Sequence, residues 1–362
     1  MKFNHNQELD NYLEELISKH QLNLSISDLL LSLINNSEIT SNKEIDLLKD
    51  KFNISEHQLL LDKISQYLDI DFEVEDNEEI YQRFIASQIS PLNMEEYLNN
   101  PYYQNIKIKD YKHLDFELKM DKYFPYELFA YLDMDYVDNY EINSLGYFHS
   151  EFKFITLNHK NVTWMSITPN EIETMKKPLS MLKGDVTIFG LGLGYFAYMA
   201  LLNKEVSHIK IIEKDKNIIK IFKDYLLPQF PNKDKLEIIE CDALNYINKD
   251  IQSDYAFVDL WHSPSDGLEL YLKFKKKEYV SPNTKFLYWI ESSLLIYLKR
   301  LMMTLIEELL EGDNPNNYIK AKTFEDKIIN NFYHKTKDLI ISNKVDVINL
   351  LNVSNLIKLA TD

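Results

Sequence analysis

The sequence is poor in the residues that anchor a fold covalently or through metal ions. Its one cysteine, Cys241, has no partner for an intramolecular disulfide, and His and Cys are too sparse for a zinc spacing. No metal site is expected, and a reducing, cytoplasmic setting fits. No run of 18 apolar residues occurs, so no helical membrane span is expected. The opening MKFNHNQELDNYLEEL is polar and acidic where a secretory signal needs a basic end and an apolar run. Positive charge is scarce: 40 Lys and Arg face 57 Asp and Glu, and residues 1–100 alone hold seven of the former against twenty of the latter. A nucleic-acid backbone would be repelled there, so nucleic acid is not expected as a partner. Residues 43–64 could be mistaken for a helix-turn-helix, but they carry five acids against four bases, which argues against DNA reading.

With 362 residues, 45% of them hydrophobic, the chain is long enough for more than one structural unit. Residues 1–100 read as a helical region of short helices. Leu9, Tyr12, Leu13, Leu16 and Ile17 form one apolar stripe, and Ser55 with Gln58 has capping-box spacing. The acidic run DIDFEVEDNEE at 69–79 reads as a solvated connector. Residues 101–170 form a small strand-containing segment in which FKFITL and VTWMSI, separated by NHKN, predict a hairpin. Residues 171–300 alternate strand and helix: VTIFG, an amphipathic YFAYMALLN, IKIIE, NIIKIFKDYLL, LEIIE, YAFVDLW, GLELYLKFKKKEYV and KFLYWI. That rhythm predicts an α/β, Rossmann-like domain with a parallel sheet covered on both faces. Residues 301–362 read as a helical C-terminal extension.

Only seven glycines occur in the chain, yet Gly190, Gly192 and Gly194 stand together after the first strand of this region. Glycine permits positive φ and leaves room for a ligand beside the backbone, and the helix that follows presents free N–H groups. Glu213 ends the second strand, 23 residues after Gly190, where a carboxylate can accept from ribose hydroxyls. Asp242 follows the third strand and Asp259 the fourth. The carboxyl ends of adjacent parallel strands converge, so these positions are expected to surround one ligand.

This ordered series, residues 190–194, Glu213, Cys241-Asp242-Ala243 and Asp259, resembles the successive motifs of class I S-adenosylmethionine-dependent methyltransferases over about 115 residues. The resemblance implies S-adenosylmethionine as cofactor. It places Gly190, Leu191, Gly192 and Gly194 beneath the methionine and ribose parts and Glu213 with Lys214 at the ribose. Asp242 would then meet the adenine amino group, with Cys241 and Ala243 flanking the ring. Asp259 joins the cofactor set and is also the candidate base toward a small-molecule acceptor. Trp261 and His262, in the loop DLWHSPSDG, would shape or stack on that acceptor. Asn170 and Glu171, opening the helix before the glycine strand, have two candidate roles, closing over the ligand and capping the helix, of which capping is the favoured reading.

The chain departs from the pattern at Ile188, where many such enzymes carry an acid, and no strand is apparent after KFLYWI. Spermidine-synthase-like proteins also lack that acid and also place strands before the nucleotide domain, but their G-G-G-D-G-G loop is here G-L-G-L-G-Y. An aminopropyl transferase and a non-catalytic S-adenosylmethionine-binding regulator stay open as alternatives. NAD or FAD fits less well, because the third glycine comes one position early for G-x-G-x-x-G and Asp242 has no role there.

Overall fold

The structure, a computed structural model, describes residues 1–34, 45, 48, 49, 51, 53–312 and 323–361. Residues 43 and 44, and others of the helix-turn-helix-like stretch, lie outside that set. Among the described residues no helix is long and apolar enough to cross a membrane.

Five strands form the central sheet, all parallel, in the spatial order Leu236–Glu240, Val206–Glu213, Gly184–Phe189, Tyr255–Val258, Lys285–Tyr288. Counted along the chain the order is 3-2-1-4-5, so the first strand lies between the second and the fourth, where the winding reverses. A crevice opens at the carboxyl ends of such neighbours. Val186, Thr187, Ile188 and Phe189 are all buried, as expected for a central parallel strand covered on both faces. Among the described residues the sheet stops at five strands; the chain turns from Tyr288 into the helix Glu291–Glu311.

The helix after the glycine loop, Tyr195–Leu202, is not amphipathic as its sequence reading supposed. It buries residues all round, Tyr195, Phe196, Ala197, Tyr198, Ala200 and Leu201 among them. Its inner side stacks Phe196 on Phe257 with ring centroids 3.7 Å apart, and its outer side is covered by the short helix Pro101–Asn105. There Tyr102 is fully buried and donates its hydroxyl to the carbonyl of Leu193 at 2.6 Å, tying the preceding segment to the glycine loop.

The predicted hairpin is present as Phe152–His159 against Val162–Ile167, closed by Lys160 and Asn161 at positive φ. It extends into a four-stranded sheet with Phe116–Tyr123 and Tyr111–His113. The N-terminal region begins with one continuous helix, Gln7–Ile34, of 28 residues, where short helices were expected. Leu9, Leu13 and Leu16 belong to the core that contains the parallel sheet, whereas Ile26, Leu30 and Leu33 belong to a second core with Leu60, Ile64, Phe84 and Tyr147. Ser55 caps Glu56–Tyr67 by accepting from Gln58 N, but the Gln58 amide donates to Asp62, so only half of the capping box forms.

Candidate functional site

The glycine loop leaves the first strand with Gly190, Gly192 and Gly194 all at positive φ, for three different steric reasons. A Cβ on Gly190 would stand 2.0 Å from the Asp259 carbonyl oxygen, so this glycine lets the loop cross the fourth strand's end. A Cβ on Gly194 would stand 2.4 Å from the Phe222 ring, so that glycine serves packing. A Cβ on Gly192 would meet nothing within 4 Å. Gly192 alone of the three opens onto free space, in a cavity of about 540 Å³. That volume falls in the range small-molecule sites occupy.

One cavity collects every residue singled out from the sequence as a binding or catalytic candidate: Gly190, Leu191, Gly192, Gly194, Glu213, Lys214, Cys241, Asp242, Ala243, Asp259, Trp261 and His262. Glu213 is braced under the loop, its Oε2 accepting from Leu191 N at 3.1 Å and its Oε1 from Lys214 N at 2.7 Å and Asp215 N at 2.8 Å. Asp242 caps the helix Ala243–Tyr246 through Oδ1, which accepts from Leu244 N and Asn245 N at 2.9 and 3.3 Å; Oδ2 accepts nothing from the described residues. Cys241 is half-buried and its backbone N–H donates to the Glu213 carbonyl at 2.9 Å, so the second and third strands stay paired up to the site.

The loop after the fourth strand divides its residues between support and exposure. Trp261 is 4% exposed and its ring lies over Gly267, where a Cβ would sit 2.5 Å from it. It is a packed wall of the cavity, with an indole N–H that has no hydrogen-bond partner among the described residues. His262 is exposed, but both ring nitrogens are engaged, Nε2 with the Trp164 carbonyl at 2.9 Å and Nδ1 with Asp266 at 3.4 Å. It straps this loop to the hairpin strand Val162–Ile167, which forms the facing wall. Asp266 holds the loop's other end in a capping box with Ser263.

Glu171 does not take the cap role that the sequence reading favoured for it. It caps nothing: the cap position of Pro169–Met181 is Thr168, which makes no side-chain cap bond, and Glu171 lines the cavity with Asp259. Asn170 receives the Thr174 hydroxyl on its carbonyl and likewise makes no side-chain cap. Burial raises both carboxyl pKa values: Asp259 is pushed up to about 7, and Glu171, which is also raised by the charge of Asp259, stands well above its ordinary value. Among the described residues neither carboxyl group has an ion-pair or side-chain hydrogen-bond partner. Trp289 completes this wall, its Nε1–H donating to Thr174 Oγ1 at 2.8 Å, which fixes the helix that carries Glu171. Among the described residues no group of three or more His, Cys, Asp or Glu is placed to hold a metal ion.

No family model and no curated protein sequence matches the chain. Among solved structures it is similar to a spermidine synthase from Thermotoga maritima, at 15% identity and a TM-score of 0.29, over 46% of this chain and 61% of that one. It is similar too to a spermidine synthase in complex with the transition-state analogue AdoDATO, at 17% identity and a TM-score of 0.30, over 41% of this chain and 60% of that one. Less than two thirds of either spermidine synthase is spanned, and likeness at this level carries no argument about activity. The strand order and the loop at its reversal point define the domain on their own terms, as a Rossmann-like α/β domain with a parallel sheet.

Proposed function

We propose that the protein is a class I-type methyltransferase that takes S-adenosylmethionine as donor and a small molecule as acceptor. The observation that carries this reading is the convergence of Gly192, open to the cavity, with Glu213 and Asp242 at the ends of adjacent strands. Those residues fit the donor's chemistry. The loop at Gly192 leaves room for its backbone approach, Glu213 presents a carboxylate to a ribose diol, and the free Oδ2 of Asp242 can accept from an adenine amino group. The donor supplies an activated methyl group on a cationic sulfur. What remains for the chain is orientation, exclusion of water and, where the acceptor carries a proton, its removal. Asp259 is the base in this reading: its pKa of about 7 suits proton uptake near neutral pH, and its backbone N–H, held by the Phe189 carbonyl at 2.9 Å, fixes it beside the loop.

A second reading, aminopropyl transfer from the decarboxylated donor, is favoured by one observation. The cavity wall carries Glu171, Glu213, Asp242 and Asp259 against the single lysine Lys214, which is exposed. That surplus opposes the α-carboxylate of S-adenosylmethionine, which the decarboxylated donor lacks. Calorimetric titration with S-adenosylmethionine, its decarboxylated form and NAD tests both. Tighter binding of S-adenosylmethionine supports methyl transfer, tighter binding of the decarboxylated form supports the second reading, and binding of NAD alone refutes both.

A further inference from the structure

The residue directly after the three glycines, Tyr195, lines the cavity and is 3% exposed. Tyr102 holds its ring edge-on, with centroids 5.5 Å apart, and its hydroxyl oxygen accepts from Asn100 Nδ2 at 2.9 Å. The direction of that bond is fixed from the other side. Asn100 caps the helix Pro101–Asn105, its Oδ1 accepting from Tyr102 N at 2.9 Å, so the amide nitrogen is what it turns to Tyr195. Asn100 thus occupies the oxygen of Tyr195 and leaves the hydrogen. Among the described residues no group accepts that hydrogen. Burial keeps the hydroxyl in its neutral, donating form, its pKa pushed up to about 12. A buried donor without an acceptor is costly, and a ligand group that accepts removes the cost. The surroundings tolerate an anionic acceptor. Of the two carboxyl groups whose charge reaches the hydroxyl, Glu173 is paired with Lys176 at 2.6 Å, and burial favours the protonated form of Glu171. The helix Tyr195–Leu202 also begins here, and the positive end of its dipole favours negative charge.

We propose that Tyr195 is the residue that receives the α-carboxylate of S-adenosylmethionine, and that its hydroxyl makes the cavity prefer this donor to the decarboxylated one. This rests on the methyl-transfer reading above, in which the glycine loop that leads into Tyr195 runs beneath the methionine part of the donor. A carboxylate offers acceptors only, and its bond to an O–H is charge-assisted. The decarboxylated donor ends in an ammonium, which brings donors alone and leaves the Tyr195 hydrogen unserved. The acidic surplus of the wall and the unspent hydroxyl therefore pull in opposite directions at this end of the ligand, and Tyr195 is the group that tips the balance toward the carboxylate.

The test is calorimetric titration of the full-length protein and of Tyr195→Phe with three ligands: S-adenosylmethionine, its decarboxylated form, and 5′-methylthioadenosine, which lacks both the carboxylate and the ammonium. Phenylalanine removes the hydroxyl and keeps the ring against Tyr102; circular dichroism and melting confirm that the variant folds. The wild type is expected to bind S-adenosylmethionine about tenfold more tightly than the decarboxylated form. Tyr195→Phe is expected to weaken S-adenosylmethionine by about tenfold and to leave the other two ligands within about twofold, so that the loss depends on hydroxyl and carboxylate together. A similar loss for all three ligands overturns the proposal, because the ring would then only support the loop. Unchanged affinity for S-adenosylmethionine in the variant overturns it too. Should the variant not fold, the wild type decides: affinities for the two donors within about twofold, or tighter binding of the decarboxylated form, overturn the proposal. A wild type that binds none of the three ligands refutes the methyltransferase reading itself, whereas binding of all three without the Tyr195 difference leaves that reading standing and removes only this assignment.

Discussion

Because the three glycines of the loop differ in what their missing side chains would touch, single alanines at each should separate folding from ligand binding. Gly192→Ala meets no atom within 4 Å, so its cost to the free protein is the left-handed backbone at φ 52, about 1–2 kcal/mol. Gly190→Ala sets a methyl 2.0 Å from the Asp259 carbonyl oxygen, a main-chain atom in a central strand's end, and the loop must lift off the sheet; a loss above about 4 kcal/mol is expected. Gly194→Ala meets the Phe222 ring at 2.4 Å, and repacking of an aromatic side chain puts it between the two. Urea unfolding with and without S-adenosylmethionine reads both effects. At a hundredfold excess over the dissociation constant the donor should add about 2.7 kcal/mol to the wild type. If the Gly192 methyl weakens binding tenfold, the same concentration adds only about 1.4 kcal/mol. A full donor increment in Gly192→Ala would refute the placement of the ligand over that loop. A Gly190→Ala protein as stable as Gly192→Ala would refute the steric ranking itself.

Asp259→Asn should retain donor affinity and lower turnover roughly 10²- to 10⁴-fold, measured once an acceptor is in hand; loss of donor binding with unchanged turnover at saturation would make Asp259 a cofactor residue. Because burial raises the Asp259 pKa from 3.8 to about 7 and Glu171 in the same direction, the folded state holds protons the unfolded chain has released. Their contribution to stability is therefore lost as pH rises from about 4 to about 7, and a Glu171→Gln, Asp259→Asn double variant should lose less stability over that interval, which urea midpoints across pH will show. Trp261→Ala removes a ring that is 4% exposed and should cost about 3–5 kcal/mol of stability, read by denaturation, whatever it does to an acceptor's KM. Arg300→Met leaves Glu141, 3% exposed, without the guanidinium that grips both of its oxygens, and should destabilise by about 3–5 kcal/mol in the same assay.

The parallel sheet and its glycine loop were legible because their signals are local and ordered: strand, glycines, helix, then one acid at each following strand end. Parallel pairing brings those ends to one side without further information. Glu171 was not legible in this way. It belongs to a helix outside that series, and at the start of a helix an acid has a ready explanation as a cap, which only the empty cap at Thr168 removes. His262 looked like a group at the mouth of the site; its partner, the Trp164 carbonyl, is 98 residues away in sequence, so its bracing role depends on tertiary structure. The length of the first helix was obscured by His20 and Asn23, polar residues on its buried face. Asn23 is satisfied across the chain, donating to the Asn139 carbonyl at 2.9 Å and accepting from Glu141 N at 3.1 Å, so the stripe from Leu9 to Leu33 continues through it.

Those same contacts bear on how the site is held. Arg300, from the helix Glu291–Glu311, grips Glu141 and donates to Ser27 at 2.6 Å, joining that helix to the small strand Tyr140–Ile142 and to the first helix. Asp133, a few residues upstream of that strand, receives Ser292 N at 3.1 Å and Ser293 N at 3.0 Å, so it caps the helix Glu291–Glu311 from outside, where Ile290 at the cap position offers no side-chain bond. The capped turn follows directly on Trp289, whose indole fixes Thr174 and with it the helix of Glu171. The segment before the hairpin strand Val162–Ile167 thus supports the cavity without lining it, through the Asp133 cap on one helix and the Tyr102 hydroxyl on the glycine loop. The strand-containing segment 101–170 therefore braces both sides of the cavity, through Tyr102 at the glycine loop and Asp133 at the helix that follows Trp289.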